Sequence, residues 1–171
     1  EGCNNRCTYC TIPSIRGRYK SRPIEEILIE AQSLAANGVK EINIIAQDTT
    51  AYGYDLYKEQ KLHTLLKKIS EIKSVKWIRL LYTHPARIYN ELIDEIAFNK
   101  KICNYIDMPI QHINDEILKM MGRGTTRLHI SRLIYDLRSR IPGLALRTSV
   151  IAGFPGETEK QFEELIDFIE V

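Results

Sequence analysis

Val39-Lys40-Glu41-Ile42-Asn43-Ile44-Ile45-Ala46, running on into Gln47-Asp48-Thr49-Thr50, is the stretch on which the fold turns. It reads as a strand with Ile42, Ile44 and Ile45 at its heart. That apolar density predicts burial on both faces, as in a parallel sheet. Just upstream, Ile24, Ile27, Leu28, Ala31, Leu34 and Ala35 recur at helical spacing. Pro23 suits the first turn of that helix and Asn37-Gly38 its end.

The alternation continues downstream. Leu62, Leu65, Leu66, Ile69 and Ile72 define a helical face, and Trp77 to Tyr82 a second strand. Asn90–Phe98 reads as a shorter helix, and Tyr105 to Ile110 as a third strand. Pro109 falls near the end of that strand, because proline cannot donate to a ladder. Asn114 can cap a short helix that Gly122 ends, and Thr126 the next one, with Ile130, Leu133, Ile134 and Leu137 as its face. Ala145 to Ala152 is a fourth strand. Thr158 and Gln161 fit a capping box ahead of Phe162, Leu165, Ile166 and Ile169. Residues 11–22 read as a polar, basic loop. Strands alternating with helices mean a parallel α/β sheet, either a (β/α) barrel or a doubly wound sheet. Periodicity does not choose between them.

The composition narrows the class. A chain of 171 residues suits one domain with a real core. A net charge of +2 is too small to argue for nucleic acid. Arg123, Arg127, Arg132, Arg138, Arg140 and Arg147 gather late and are expected on a solvated face. No run is apolar for the ~18 residues of a membrane span. Three of the four cysteines are bunched, unlike a secreted disulfide framework, so a reducing, cytoplasmic setting is expected. The missing initiator methionine, and a last helix that reaches Val171 unfinished, read as a piece of a longer protein.

Parallel α/β folds place ligands at the carboxyl ends of their strands. Those ends read Gln47-Asp48-Thr49-Thr50, Thr83-His84-Pro85, Gln111-His112 and Gly153-Phe154-Pro155-Gly156-Glu157, all hydrogen-bonding or backbone-exposing. His84 and His112 sit at strand ends, whereas His63 and His129 fall on helices and are expected at the surface. Cys103 reads as a buried structural thiol at the opposite end.

The chemistry concentrates in Glu1-Gly2-Cys3-Asn4-Asn5-Arg6-Cys7-Thr8-Tyr9-Cys10. Three thiols spaced C-x3-C-x2-C bind metal far more often than they form disulfides. A closed zinc site wants four protein ligands, which Cys103 or a histidine would have to complete. An iron–sulfur cube held by three cysteines keeps one iron open for a small chelating ligand.

This motif resembles the signature of radical S-adenosylmethionine enzymes, with Tyr9 as the aromatic before the last cysteine. The similarity extends along nearly the whole chain. Ser21-Arg22-Pro23, Gly38-Val39-Lys40-Glu41, Met108-Pro109-Ile110-Gln111-His112, Leu118-Lys119-Met120-Met121 followed by Arg123-Gly124, and Gly153-Phe154-Pro155-Gly156-Glu157-Thr158 resemble the methylthiotransferase family of those enzymes. Gln47-Asp48-Thr49-Thr50-Ala51-Tyr52-Gly53 resembles its branch that modifies an aspartate of a small-subunit ribosomal protein, rather than the branch that modifies a tRNA adenosine.

The resemblance implies a partial (β/α) TIM-like barrel, with residues 1–171 as its radical SAM core, truncated at both ends. A domain carrying a second 4Fe–4S cluster would precede it, and a substrate-docking β domain would follow. It implies that Cys3, Cys7 and Cys10 ligate a 4Fe–4S cluster whose open iron chelates S-adenosylmethionine. Cleavage to a 5′-deoxyadenosyl radical would precede methylthiolation of the aspartate β-carbon. Tyr9, Gln47, Gln111, Arg147, Ile151 and Gly153 are the implied contacts to S-adenosylmethionine. A flavodoxin or ferredoxin is the implied electron donor. Rival readings are the tRNA branch, another radical enzyme on the same barrel, and a zinc- or cluster-stabilised binding module without turnover.

Overall fold

The computed structural model describes residues 1–170, so the expectation that the last helix runs on at Val171 lies outside the described residues. After the cysteines comes a short helix α1 (Ile12–Arg16), then α2 (Ile24–Ala36) and strand β1 (Glu41–Ile44). α3 (Tyr54–Tyr57) and α4 (Leu62–Ser70) lead to β2 (Trp77–Leu80), and α5 (Asn90–Phe98) to β3 (Ile102–Asp107). α6 (Asp115–Met120) and α7 (Arg127–Arg140) lead to β4 (Ala145–Arg147), and α8 (Glu159–Glu170) follows. The segment after the cysteines is therefore not all loop. Pro13 in the first turn presets helical φ, and Gly17 at φ 72 ends the helix.

The four strands pair in the order β1-β2-β3-β4, and every pairing is parallel. A doubly wound sheet reverses its strand order at a switch point. A sequential order without reversal is the barrel arrangement, and this resolves the choice that periodicity leaves open.

Helices cover one face of the sheet. Leu62, Leu65, Leu66 and Ile69 of α4, Leu92 and Ile96 of α5, and Ile130 and Leu137 of α7 pack into a core with Ile42, Ile78, Leu80 and Ile106. Each such side chain contributes about 1.5–3 kcal/mol on full burial. The other face is not buried, contrary to expectation. Asn43 is exposed beside buried Ile42, and Ile45 is 66% exposed. That face carries Glu41 and Arg79, paired at 2.7 Å, with the Arg79 guanidinium 5.1 Å from the Tyr105 ring centre. Cys103 lies within β3 and is half-buried beside Glu41, Trp77 and Arg79, so it is not a buried structural thiol.

β3 ends earlier than predicted because Pro109 supplies no N–H to the ladder. Beyond it the pairing is intermittent. The Gln111 N–H donates to Ser149 O (3.0 Å), and the Ile151 N–H to Gln111 O (2.8 Å). An isolated bridge joins Gln111 to Val150, so β4 is also shorter than its apolar run. The predicted caps form. The Asn114 side chain accepts from the Glu116 and Ile117 N–H groups, and Thr126 from His129. The Thr158 N–H donates to Gln161 Oε1 (2.9 Å), while the Gln161 N–H donates to Thr158 Oγ1 (3.4 Å).

Candidate iron–sulfur site

The cysteine loop is held by main-chain bonds. The Cys3 N–H donates to Gly17 O (3.2 Å), the Cys10 N–H to Cys7 O (3.0 Å), and the Thr8 N–H to Met121 O (3.1 Å). The Thr8 hydroxyl donates to Met120 O (3.0 Å). Two glycines make these approaches possible. Gly2 has φ +76, and a Cβ there would stand 2.2 Å from Arg18 O. Gly122 has φ +68, and a Cβ there would meet Arg6 O at 2.7 Å.

Side chains from the strand ends complete the support. Asn5 lies between the first two cysteines. Its Nδ2 donates to Asp48 Oδ2 (3.1 Å), which also accepts from Arg87 Nη1 at 2.6 Å. Arg87 Nη2 donates to Asn5 Oδ1, and the Thr50 hydroxyl to Asp48 Oδ1 (2.6 Å). The loop is thereby fastened to the segments following β1 and β2. Threonines join those ends to their neighbours: the Thr49 hydroxyl donates to Leu81 O (2.8 Å), and that of Thr83 to Asp107 O (2.8 Å).

Around the thiols the environment is uneven. Burial pushes the Cys3 thiol up, and the Asn5 N–H bonded to its sulfur (3.4 Å) works against that shift. Cys7 Sγ lies 3.8 Å from Arg123 Nη1. The half-buried Tyr9 phenol faces Cys7 and Arg123, and burial raises it well above its ordinary value. His84 is buried, and its Nδ1 accepts from the Ala86 N–H (3.3 Å), which leaves its proton on Nε2. Burial first, then the Arg123 charge, push its pKa down to about 3, so it is neutral. Cys3, Cys10, Gln47 and Tyr82 line an open cleft of about 610 Å³ together with Ile45 and Ala46.

Of the residues implied as S-adenosylmethionine contacts, only Gln47 lines that cleft. Gln111, at φ 71, lies over the end of β3, hydrogen-bonded through its carbonyl to Ile151. Arg147 Nη1 donates to the buried Asp107 carboxylate (3.1 Å), which also takes the Tyr82 N–H. Gly153 is exposed at φ +77. Its loop is latched to the segment between β3 and α6: His112 Nδ1 accepts from the Asn114 N–H (3.0 Å), so Nε2–H donates to Glu157 Oε1 (3.2 Å). Glu157 Oε2 accepts from the Phe154 N–H (2.8 Å). Burial opposes ionisation of Glu157, but the bonds from His112, Phe154 and Gly153 prevail and hold it below the usual carboxylate range.

Tyr82 and Arg123 are not among the residues picked out as site candidates. Tyr82 has a signal only in the backbone, its φ of 57, which no sequence pattern announces. Arg123 is buried rather than on a solvated face, because its guanidinium turns inward to Pro109 O and Cys7. No three His, Cys, Asp or Glu side chains among the described residues converge on a single-ion site. Cys103 lies with Glu41 and Trp77 at the far end of the strands and cannot complete a zinc site with the loop.

The radical SAM superfamily profile matches residues 1–169. Over 169 residues the chain is 56% identical to the ribosomal protein uS12 methylthiotransferase RimO of Clostridium perfringens, matching 99% of this chain and 38% of that protein. The protein of the same name from Clostridium tetani is 55% identical over 170 residues, again 99% and 38%. The chain thus spans 38% of the length of these curated relatives. Among solved structures, the radical S-adenosylmethionine methyltransferase TsrM of Kitasatospora setae, with cobalamin and a 4Fe–4S cluster bound, aligns with a TM-score of 0.76 at 22% identity, over 99% of this chain and 33% of that one. The cobalamin-dependent S-adenosylmethionine radical enzyme OxsB aligns with a TM-score of 0.75 at 17% identity, over 99% of this chain and 25% of that one. These two likenesses concern the fold.

Proposed function

The chain belongs to the radical SAM superfamily, and from that premise we propose that it is the core of a methylthiotransferase acting on an aspartate β-carbon of ribosomal protein uS12. The observation that carries this reading is the loop of Cys3, Cys7 and Cys10, pinned at the carboxyl end of a sequentially ordered parallel sheet beside an open cleft. The relatives named as uS12 methylthiotransferases favour the ribosomal substrate over a tRNA adenosine.

The donor set fits a 4Fe–4S cluster. The three thiols are free and share one short loop at C-x3-C-x2-C spacing, a set of three that leaves one iron of a cube open. When bound, the cluster and S-adenosylmethionine supply reductive cleavage and hydrogen removal from an unactivated carbon. The protein's own residues orient and shield. Asn5, Asp48 and Arg87 fix the loop. Gln47 and Tyr82 flank the cleft where S-adenosylmethionine would lie. Neutral His84 keeps an N–H rather than a second positive charge beside Arg123. Tyr9 packs beside the Cys7 corner, and Gln111, Arg147, Ile151 and Gly153, from the carboxyl ends of β3 and β4, are proposed as further contacts outside that cleft. A reduced flavodoxin or ferredoxin would deliver the electron, a second cluster in a preceding domain the sulfur, and the reaction would be cytoplasmic.

Anaerobic reconstitution tests the cluster. A brown protein whose iron is lost on replacing Cys3, Cys7 or Cys10 by Ala, but kept in Cys103→Ala, is expected. Equal iron loss from Cys103→Ala would overturn the three-ligand assignment. For the substrate, the intact parent protein should restore a methylthio mass increment on one uS12 aspartate in a deletion strain. Restoration on tRNA adenosine instead would move the chain to the other branch.

A further inference from the structure

Arg123 follows Gly122 in the turn between α6 and α7, and its side chain is one of few charged groups sealed from solvent, at 7% exposure. Nη2 donates to Pro109 O at 2.6 Å. Nη1 lies 3.8 Å from Cys7 Sγ. Nε is buried and has no partner. Among the described residues Arg123 pairs with no carboxylate. The Tyr9 phenol and the His84 imidazole also face it.

A buried guanidinium without an anion is costly, since desolvation is not offset by an opposite charge. Arg remains protonated in proteins, so it cannot escape the cost by neutralising. The unused Nε–H and the Nη1 contact to sulfur therefore call for negative charge at Cys7. A thiol does not supply it; a thiolate bound to an iron–sulfur cluster does.

We infer that Arg123 is the counter-charge of the Cys7 corner of the cluster, and a positioning residue that makes the cluster easier to reduce. The inference rests on the proposed ligation by Cys3, Cys7 and Cys10. Its physical basis is Coulombic: adding an electron increases the negative charge beside a fixed cation in a water-poor site, which favours the reduced state. The fork also fixes direction, because the same guanidinium is tied to Pro109 O beyond β3.

The test is a redox titration of the reconstituted protein, followed by electron paramagnetic resonance, with iron content measured in parallel. Arg123→Gln keeps an N–H for Pro109 O but removes the charge. Its reduction equilibrium should shift roughly tenfold towards the oxidised cluster, which is ~59 mV for a one-electron couple. Arg123→Lys keeps the charge and should shift less than half as far. A fully loaded Arg123→Gln protein with an unchanged midpoint would overturn the inference. If Arg123→Gln holds no cluster, the Lys variant decides: retention with a near-parental midpoint supports the counter-charge, and loss assigns Arg123 to fork geometry alone. A parent protein that takes up no cluster is a separate outcome, which overturns the cluster reading and this inference with it.

Discussion

Replacing Asp48 by Ala should unfasten the cysteine loop from the strand ends. The Asp48 side chain is only 3% exposed and accepts from Arg87, Asn5 and Thr50. Truncating one partner of a buried ion pair costs about 3–5 kcal/mol, mostly because the other charge is left unpaired. Here Arg87 is 36% exposed and keeps part of its hydration, which places the expected loss at the low end, about 3 kcal/mol. For a chain of this size that lowers Tm by about 6–12 °C. Thermal unfolding of the parent, Asp48→Ala, Arg87→Ala and the double variant closes a double-mutant cycle. The two changes share a contact and should couple by about 1–3 kcal/mol. Additivity within ~0.5 kcal/mol would refute the argument that this pair ties the loop down.

The Glu157 latch predicts a pH dependence. Its carboxyl is held below the usual range when folded, so its contribution is complete above about pH 4.3, the ordinary carboxylate value, and is lost as pH falls through the depressed folded pKa. Glu157→Gln should lose stability near neutrality and show a flatter decline on acidification; an acid limb as steep as the parent's would count against the latch. Gly122→Ala and Gly124→Ala both place a Cβ at positive φ, but only the first meets a carbonyl, at 2.7 Å, while the second enters open space. Urea unfolding should show Gly122→Ala as the more destabilising, with backbone strain of about 1–3 kcal/mol common to both; equal effects would deny the close approach to Arg6.

The parts of this molecule that were legible in sequence are those governed by neighbours along the chain. The helical faces of α4, α5 and α7 follow a 3.6-residue period, and the caps at Asn114, Thr126 and Thr158 act within three residues. The parts not legible depend on contacts across the chain. Arg123 reaches Cys7 across 116 positions, and Arg87 reaches Asn5 across 82, so neither partnership leaves a local pattern. The double-sided burial predicted for β1 fails for a related reason. Apolar density counts Ile45, but only the partners supplied by other segments decide whether a face is covered. Cys103 does lie at the end of the strands away from the cysteine loop, but it is half-buried because it shares the uncovered face of the sheet with Glu41 and Arg79.

The cysteine loop is shaped chiefly by peptide groups: Cys3 to Gly17, Cys10 to Cys7, Thr8 to Met121. None of those bonds consumes a sulfur. The shape of the backbone around the thiols is therefore set by bonds separate from the sulfurs, so loop geometry and cluster ligation answer to different groups. Substitution of the exposed Arg6 leaves this scaffold in place, because the carbonyls and amides that build it belong to every residue type except proline, whereas Asn4 adds a side-chain tie by accepting the Tyr19 N–H at Oδ1 (3.0 Å).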